Sequence, residues 1–220
     1  MSTPHSDRVR VRRLPERGRY DRATLDAILD TGLVAHVAYQ HEGQPWCLPM
    51  MYARVGDEVL VHGSTGSRTV RALAAGVPAC LTVTLTDGLV LARSAFEHSA
   101  NYRSAMLLGT FRRLADPAEV LAGFAAYTDK VVPGRWAEVR PPNRRELASV
   151  VLLALPIGEA SAKVRTGPPT DDGSDDAALD VWAGVVPIMT GYGDPEPSPG
   201  LRAGIPLAAS VRRLVNGTED

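Results

Sequence analysis

A series of short runs rich in β-branched and aromatic residues, joined by short turns, constrains this 220-residue chain more than any other feature. Residues 33–39 (LVAHVAY), 46–55, 58–62, 79–85, 89–94, 102–114, 150–155 and 160–165 read as strands. His41-Glu42-Gly43-Gln44, Gly56-Asp57 and Asp87-Gly88 supply glycine and acidic turns between neighbours. Parallel strands need long crossovers, and the order shows no regular strand-helix alternation. A mainly β fold with peripheral helices, closed or nearly closed into an antiparallel barrel, is therefore expected.

The helices are few. One opens at Asp21 or Arg22, faces inward through Leu25, Ile28 and Leu29, and stops at Gly32. Residues 69–75 form a second, ended by Gly76 and Pro78. Residues 117–130 carry Val120, Leu121, Phe124 and Tyr127 at helical spacing behind an Asp116 cap, and residues 143–149 give a further turn or two.

With 45% hydrophobic residues the chain can bury a sizeable core, so residues 20–215 read as one domain and residues 1–19 as a flexible basic arm. A net charge of −1 supplies no bulk attraction to nucleic acid. Arg8, Arg10, Arg12, Arg13, Arg17 and Arg19 crowd the arm, which is either a solvated tail or a contact for RNA, DNA or an acidic surface. Asp171, Asp172, Asp175 and Asp176 crowd a late loop. Without a signal-peptide pattern or the roughly 18 apolar residues of a membrane span, a cytoplasmic protein is the expectation. Cys47 and Cys80 read as buried free thiols, and without CxxC, HExxH or a histidine–carboxylate cluster no metal site is expected.

The segment 58–73, EVLVHGSTGSRTVRAL, carries the most chemistry. An apolar strand runs into His62-Gly63-Ser64-Thr65-Gly66-Ser67-Arg68, and a helical pattern follows at once. Glycines allow backbone amides to approach a ligand, and hydroxyls with arginine suit a phosphate dianion. The spacing fits neither a Walker A loop nor a dinucleotide fingerprint. Arg71 is either a second phosphate contact or a solvated helix residue. His62 is either a satisfied structural histidine or a group that approaches a substrate. Ser94, His98, Ser99, Asn101, Tyr102, Arg103 and Ser104 form a second polar cluster, which joins the first only if folding brings two rims together.

In their order and spacing, residues 32–73, 79–114 and 180–211 together resemble the pyridoxamine 5′-phosphate oxidase-like family of FMN-binding split barrels. Within it, the resemblance is to the branch that includes nitroimidazole-resistance-type flavoproteins. It implies a homodimer with FMN at the subunit interface. Pro49, Met50, Met51 and Tyr52 resemble the edge along the flavin ring. His62, Gly63, Ser64, Ser67, Arg68 and Arg71 resemble the stretch near flavin and phosphate, with His62 a proton donor. Ser94, Tyr102 and Arg103 resemble a surrounding layer, and Trp182 and Gly184 a segment reaching over from the partner. The implied activity is hydride or electron transfer to or from a small conjugated, aromatic or nitro compound, with a nicotinamide as candidate donor. A flavin-binding regulatory or storage protein is the alternative, and a deazaflavin is a second candidate cosubstrate. The histidine and arginine pattern of true pyridoxamine-phosphate oxidases is not recognisable at the C-terminus, which argues against vitamin B6 oxidation.

Overall fold

A computed structural model describes residues 3–217. In chain order, β1 (Gly18–Arg19), α1 (Arg22–Thr31), β2 (Val34–His41), β3 (Gln44–Val55), β4 (Glu58–Ser64), α2 (Arg68–Ala74) and β5 (Pro78–Leu91) form the first part. Then follow β6 (Ser99–Thr110), β7 (Arg112–Arg113), α3 (Pro117–Val131), α4 (Arg144–Ser149), β8 (Val150–Pro156), β9 (Glu159–Arg165), β10 (Gly184–Pro187) and α5 (Ala209–Asn216).

All pairings among these strands are antiparallel, in the order β1-β9-β6-β5-β2-β3-β4-β8-β7, with β10 added beside the end of β5. Closure comes from one residue. β6 pairs with β9 up to Leu108 and with β5 up to Thr110, and past Phe111 the same chain continues as β7 beside β8, so the two ends of the sheet meet. The expected mainly β barrel is what forms.

Alternation along the strands fills the interior. Val37, Val59, Val61, Leu81, Leu107, Leu153 and Leu155 are fully buried together, and α1 plugs one side with Leu25, Ile28 and Leu29. A smaller cluster, Leu60, Leu114, Leu152 and Ala154, lies on the opposite face of β4 and β8, beneath Val120 and Phe124 of α3. Asp21 caps α1 by accepting from the Thr24 amide at 2.8 Å, and Asp116 caps α3 behind a first-turn proline.

Several expectations change. Asp87-Gly88 is a bulge inside one continuous strand rather than a turn, and Arg103 grips the Asp87 carboxylate there at 2.8 and 2.9 Å. The run 102–114 is two strands, because barrel closure bends the chain at Phe111. Cys47 is exposed and Cys80 half-buried. Both stand opposite Ala38 on the outer face, and the alternating Val37 and Tyr39 take the inner one. The basic N-terminal stretch lies along β9, with Val9 buried and the Val11 amide donating to the Tyr20 hydroxyl at 2.8 Å.

Candidate functional site

Strand β3 changes partner half-way. Residues 44–51 pair with β2, and residues 52–55 pair with β4 on the other edge. The β3–β4 ladder stops at Tyr52–Val61, so among the described residues the β4-facing edge of 45–51 has no strand partner. This is the split in the barrel. Such an edge presents backbone donors and acceptors with nothing opposite them.

The glycine-hydroxyl turn closes one end of the split. Thr65 is tied by its amide to the Ser149 carbonyl at 3.0 Å, and Ser67 caps α2 by accepting from the Val70 amide. Gly63 is required where α2 crosses β4, because a methyl group there would come within 2.6 Å of Val70 Cγ2. Among the described residues nothing accepts the hydroxyl proton of Ser67, which is left for another acceptor.

Arg68 lies over the Trp46 ring, its guanidinium carbon 3.8 Å from the centroid. Arg22, Arg54, Arg103, Arg112 and Arg140 all hold carboxylates. Arg68 and Arg71 hold none among the described residues. A cation stacked on an indole, left without a counterion beside two serines and an unpaired strand edge, is poised to receive an anion. Trp46, which sequence reasoning missed, also lines an open groove of about 550 Å³ with Tyr39, Gln40, Cys80 and Leu108. The only signal for it was alternation, which turns Trp46, Leu48 and Met50 toward the barrel.

The other expected residues divide. Pro49 and Met51 are exposed on the outer face, whereas Tyr52 is in the core, its hydroxyl donating to the Leu29 carbonyl at 2.7 Å. His62 turns away from the corner. Val61 points inward, so His62 faces α3, with Tyr127 edge-on at 4.5 Å between ring centroids. The space left beside it does not hold a water molecule. Ser94 accepts from the Phe96 amide, and Tyr102 is half-buried on the outer face opposite Thr86. Trp182 is exposed and stacked on Gly184. The structure thus gathers Ser64, Ser67, Arg68 and Arg71, and leaves Ser94 just past the end of β5, Tyr102 and Arg103 on β6 along one edge of that strand, and Trp182 and Gly184 at β10 along the other.

Burial lowers the His62 pKa below its ordinary 6.5, because desolvation penalises imidazolium. As pH falls the unfolded chain takes up this proton first. The stability the residue contributes is complete above about 6.5 and is lost as pH drops through the depressed folded value. Between about pH 7.5 and about pH 5.5 the melting temperature should fall, and less steeply in His62→Phe. Equal slopes in the two proteins would remove His62 as the source.

The model of the family described as pyridoxamine 5′-phosphate oxidase matches residues 21–164, which hold the split and the corner together. This chain belongs to the pyridoxamine 5′-phosphate oxidase family. Among solved structures similar to this chain is the flavocytochrome Anf3 from Azotobacter vinelandii, 40% identical over 97% of this chain and 99% of that one, with a TM-score of 0.91. Another is an FAD- and heme-binding protein from Mycobacterium smegmatis, 48% identical over 90% and 97% of the two chains, with a TM-score of 0.87. A 5-nitroimidazole antibiotic resistance protein from Bacteroides thetaiotaomicron is 18% identical over 67% and 86%, with a TM-score of 0.57, and shares the fold. A search of curated proteins gave no match. No helix among the described residues is long and apolar enough to cross a membrane.

Proposed function

We propose that this family member is a homodimeric, flavin-dependent oxidoreductase that carries heme as a second cofactor. The uncommitted Arg68 guanidinium, stacked on Trp46 at the mouth of the split, is the observation that carries the flavin reading. The unpaired edge of residues 45–51 suits the polar rim of a flavin ring, and Ser64, Ser67, Arg68 and Arg71 suit its phosphate. FMN and FAD offer the same first phosphate to this corner. The groove beside Trp46 has room for the second nucleotide, and the 48% identical relative is named for FAD. FAD is therefore preferred to FMN.

A bound flavin supplies hydride or electron transfer to or from a small conjugated, aromatic or nitro compound, with a nicotinamide as candidate donor. The chain's part is to grip the phosphate, hold the ring edge and keep water from one face. His62, which faces Tyr127 of α3 rather than this corner, takes no part in the reaction proposed here. Heme enters because both relatives at 40% identity or more are named for flavin and heme together.

The dimer rests on exposed apolar surface. Val34, Met51, Leu89 and Val186 are exposed on the outer sheet face. The strap between β10 and α5 holds Ile188, Met189, Tyr192, Leu201, Ile205 and Leu207 in solvent. A partner copy would cover both.

Protein purified without added cofactor should be yellow, with released FAD identified by mass and a dimer in sedimentation. Released FMN would reverse the choice between the two flavins. A colourless protein that took up neither would end the flavin reading, and a monomer with flavin bound would end the dimeric one.

A further inference from the structure

The geometry points to His98 as the axial ligand of the heme, an inference that rests on the two-cofactor reading above. An imidazole that binds iron needs one ring nitrogen with a free lone pair and the other fixed through its N–H, usually to a carbonyl or carboxylate. The His98 Nδ1 lies 2.9 Å from the Ser94 carbonyl oxygen. A carbonyl only accepts, so Nδ1 carries the proton, and in the neutral ring Nε2 holds the lone pair.

The anchor is itself fixed. Ser94 caps the single 3₁₀ turn Ala95–Glu97, its side chain accepting from the Phe96 amide at 3.2 Å and its carbonyl also accepting from the Glu97 amide at 3.2 Å. The turn is tied to the loop after β9 by the Thr170 hydroxyl, which donates to Glu97 at 3.2 Å. His98 is exposed, so Nε2 is open to a ligand.

The surroundings suit a flat macrocycle. Phe96 is 90% exposed and Trp182 65% exposed. The two tails approach the same end of β5 from opposite edges, β6 bringing His98 and β10 bringing Trp182. Trp182 is held flat against Gly184, where a methyl group would come within 2.9 Å of the indole. Exposed aromatic side chains at the same end of β5 as an oriented imidazole are what burial of a porphyrin would use.

The three histidines of the barrel strands fit less well. His62 is enclosed by Phe124 and Tyr127. His41 stands 3.8 Å from the Glu42 carboxylate, beyond hydrogen-bond reach. His36, on the outer face between Pro49 and Thr82, has no hydrogen bond to fix its ring among the described residues.

Hemin titration of the flavin-loaded full chain, followed by absorption and electron paramagnetic resonance, tests this. His98→Ala should lose heme at least tenfold in affinity, or lose the histidine-ligated spectrum, with flavin content unchanged. Added imidazole should restore the wild-type spectrum to His98→Gly. His98→Tyr should change the ligand-field signature without removing heme, which separates ligation from folding. A folded His98→Ala protein with unaltered spectrum and stoichiometry, while His36→Ala loses both, would overturn the assignment to His98 alone. A wild-type protein that takes up no heme would overturn it together with the two-cofactor reading, leaving the flavin site standing.

Discussion

Arg68→Ala should weaken flavin binding by about 1.5–3 kcal/mol, roughly 10- to 150-fold, the range for hydrogen bonds to a charged group. The chain should stay folded, since Ser67 still caps α2 and alanine is the better helix former. FMN and FAD should weaken alike, because the guanidinium meets the phosphate they share. Arg68→Lys should fall between, keeping the charge but losing the planar fork and much of the contact with Trp46. Fluorescence titration of the flavin-free protein reads all three. Unchanged affinity in folded Arg68→Ala would take this residue out of the site and leave the corner with Arg71 alone.

Asp171→Ala should cost about 3 kcal/mol of stability, the lower end of the range for breaking a buried ion pair. The side chain is fully buried and accepts from the Arg93 amide at 2.6 Å and from Arg93 Nη1 at 3.3 Å. Its removal unties the late acidic loop from the end of β5, next to the turn that holds Ser94 and His98. A drop of roughly 6–12 °C in melting temperature is expected for a chain of this size. Asp171→Asn, which keeps an acceptor for the amide, should lose less. Faster hydrogen exchange at the Arg93 amide in Asp171→Ala would locate the loss, and a melting temperature unchanged within error would show that the pair contributes nothing.

Much of the frame was legible before any coordinates. Alternation of apolar residues marked the strands of the barrel, and a hydroxyl-rich turn after residues 58–62 marked the corner where Arg68 stands. The acid before each of α1 and α3 marked their starts. These are local signals, set by side-chain periodicity and capping within a few residues. The bulge at Asp87-Gly88 was misread as a turn because the same residue types serve both, and only the Arg103 ion pair and the continuing β6 ladder tell them apart.

What the amino-acid order determined by itself was an antiparallel β chain with an anion-competent turn at residues 62–68. The tertiary structure decided the rest. It set Trp46 beneath Arg68, across 22 positions of sequence. It turned His62 toward Tyr127 instead of the corner, and it drew one aspartate of a polar loop into full burial against Arg93. It also placed the cysteines outside by the register that buries Val37 and Tyr39. Each of these depends on which strand edge or helix arrives opposite a residue, and long-range partners are fixed by closure of the barrel and its packing, not by neighbours along the chain.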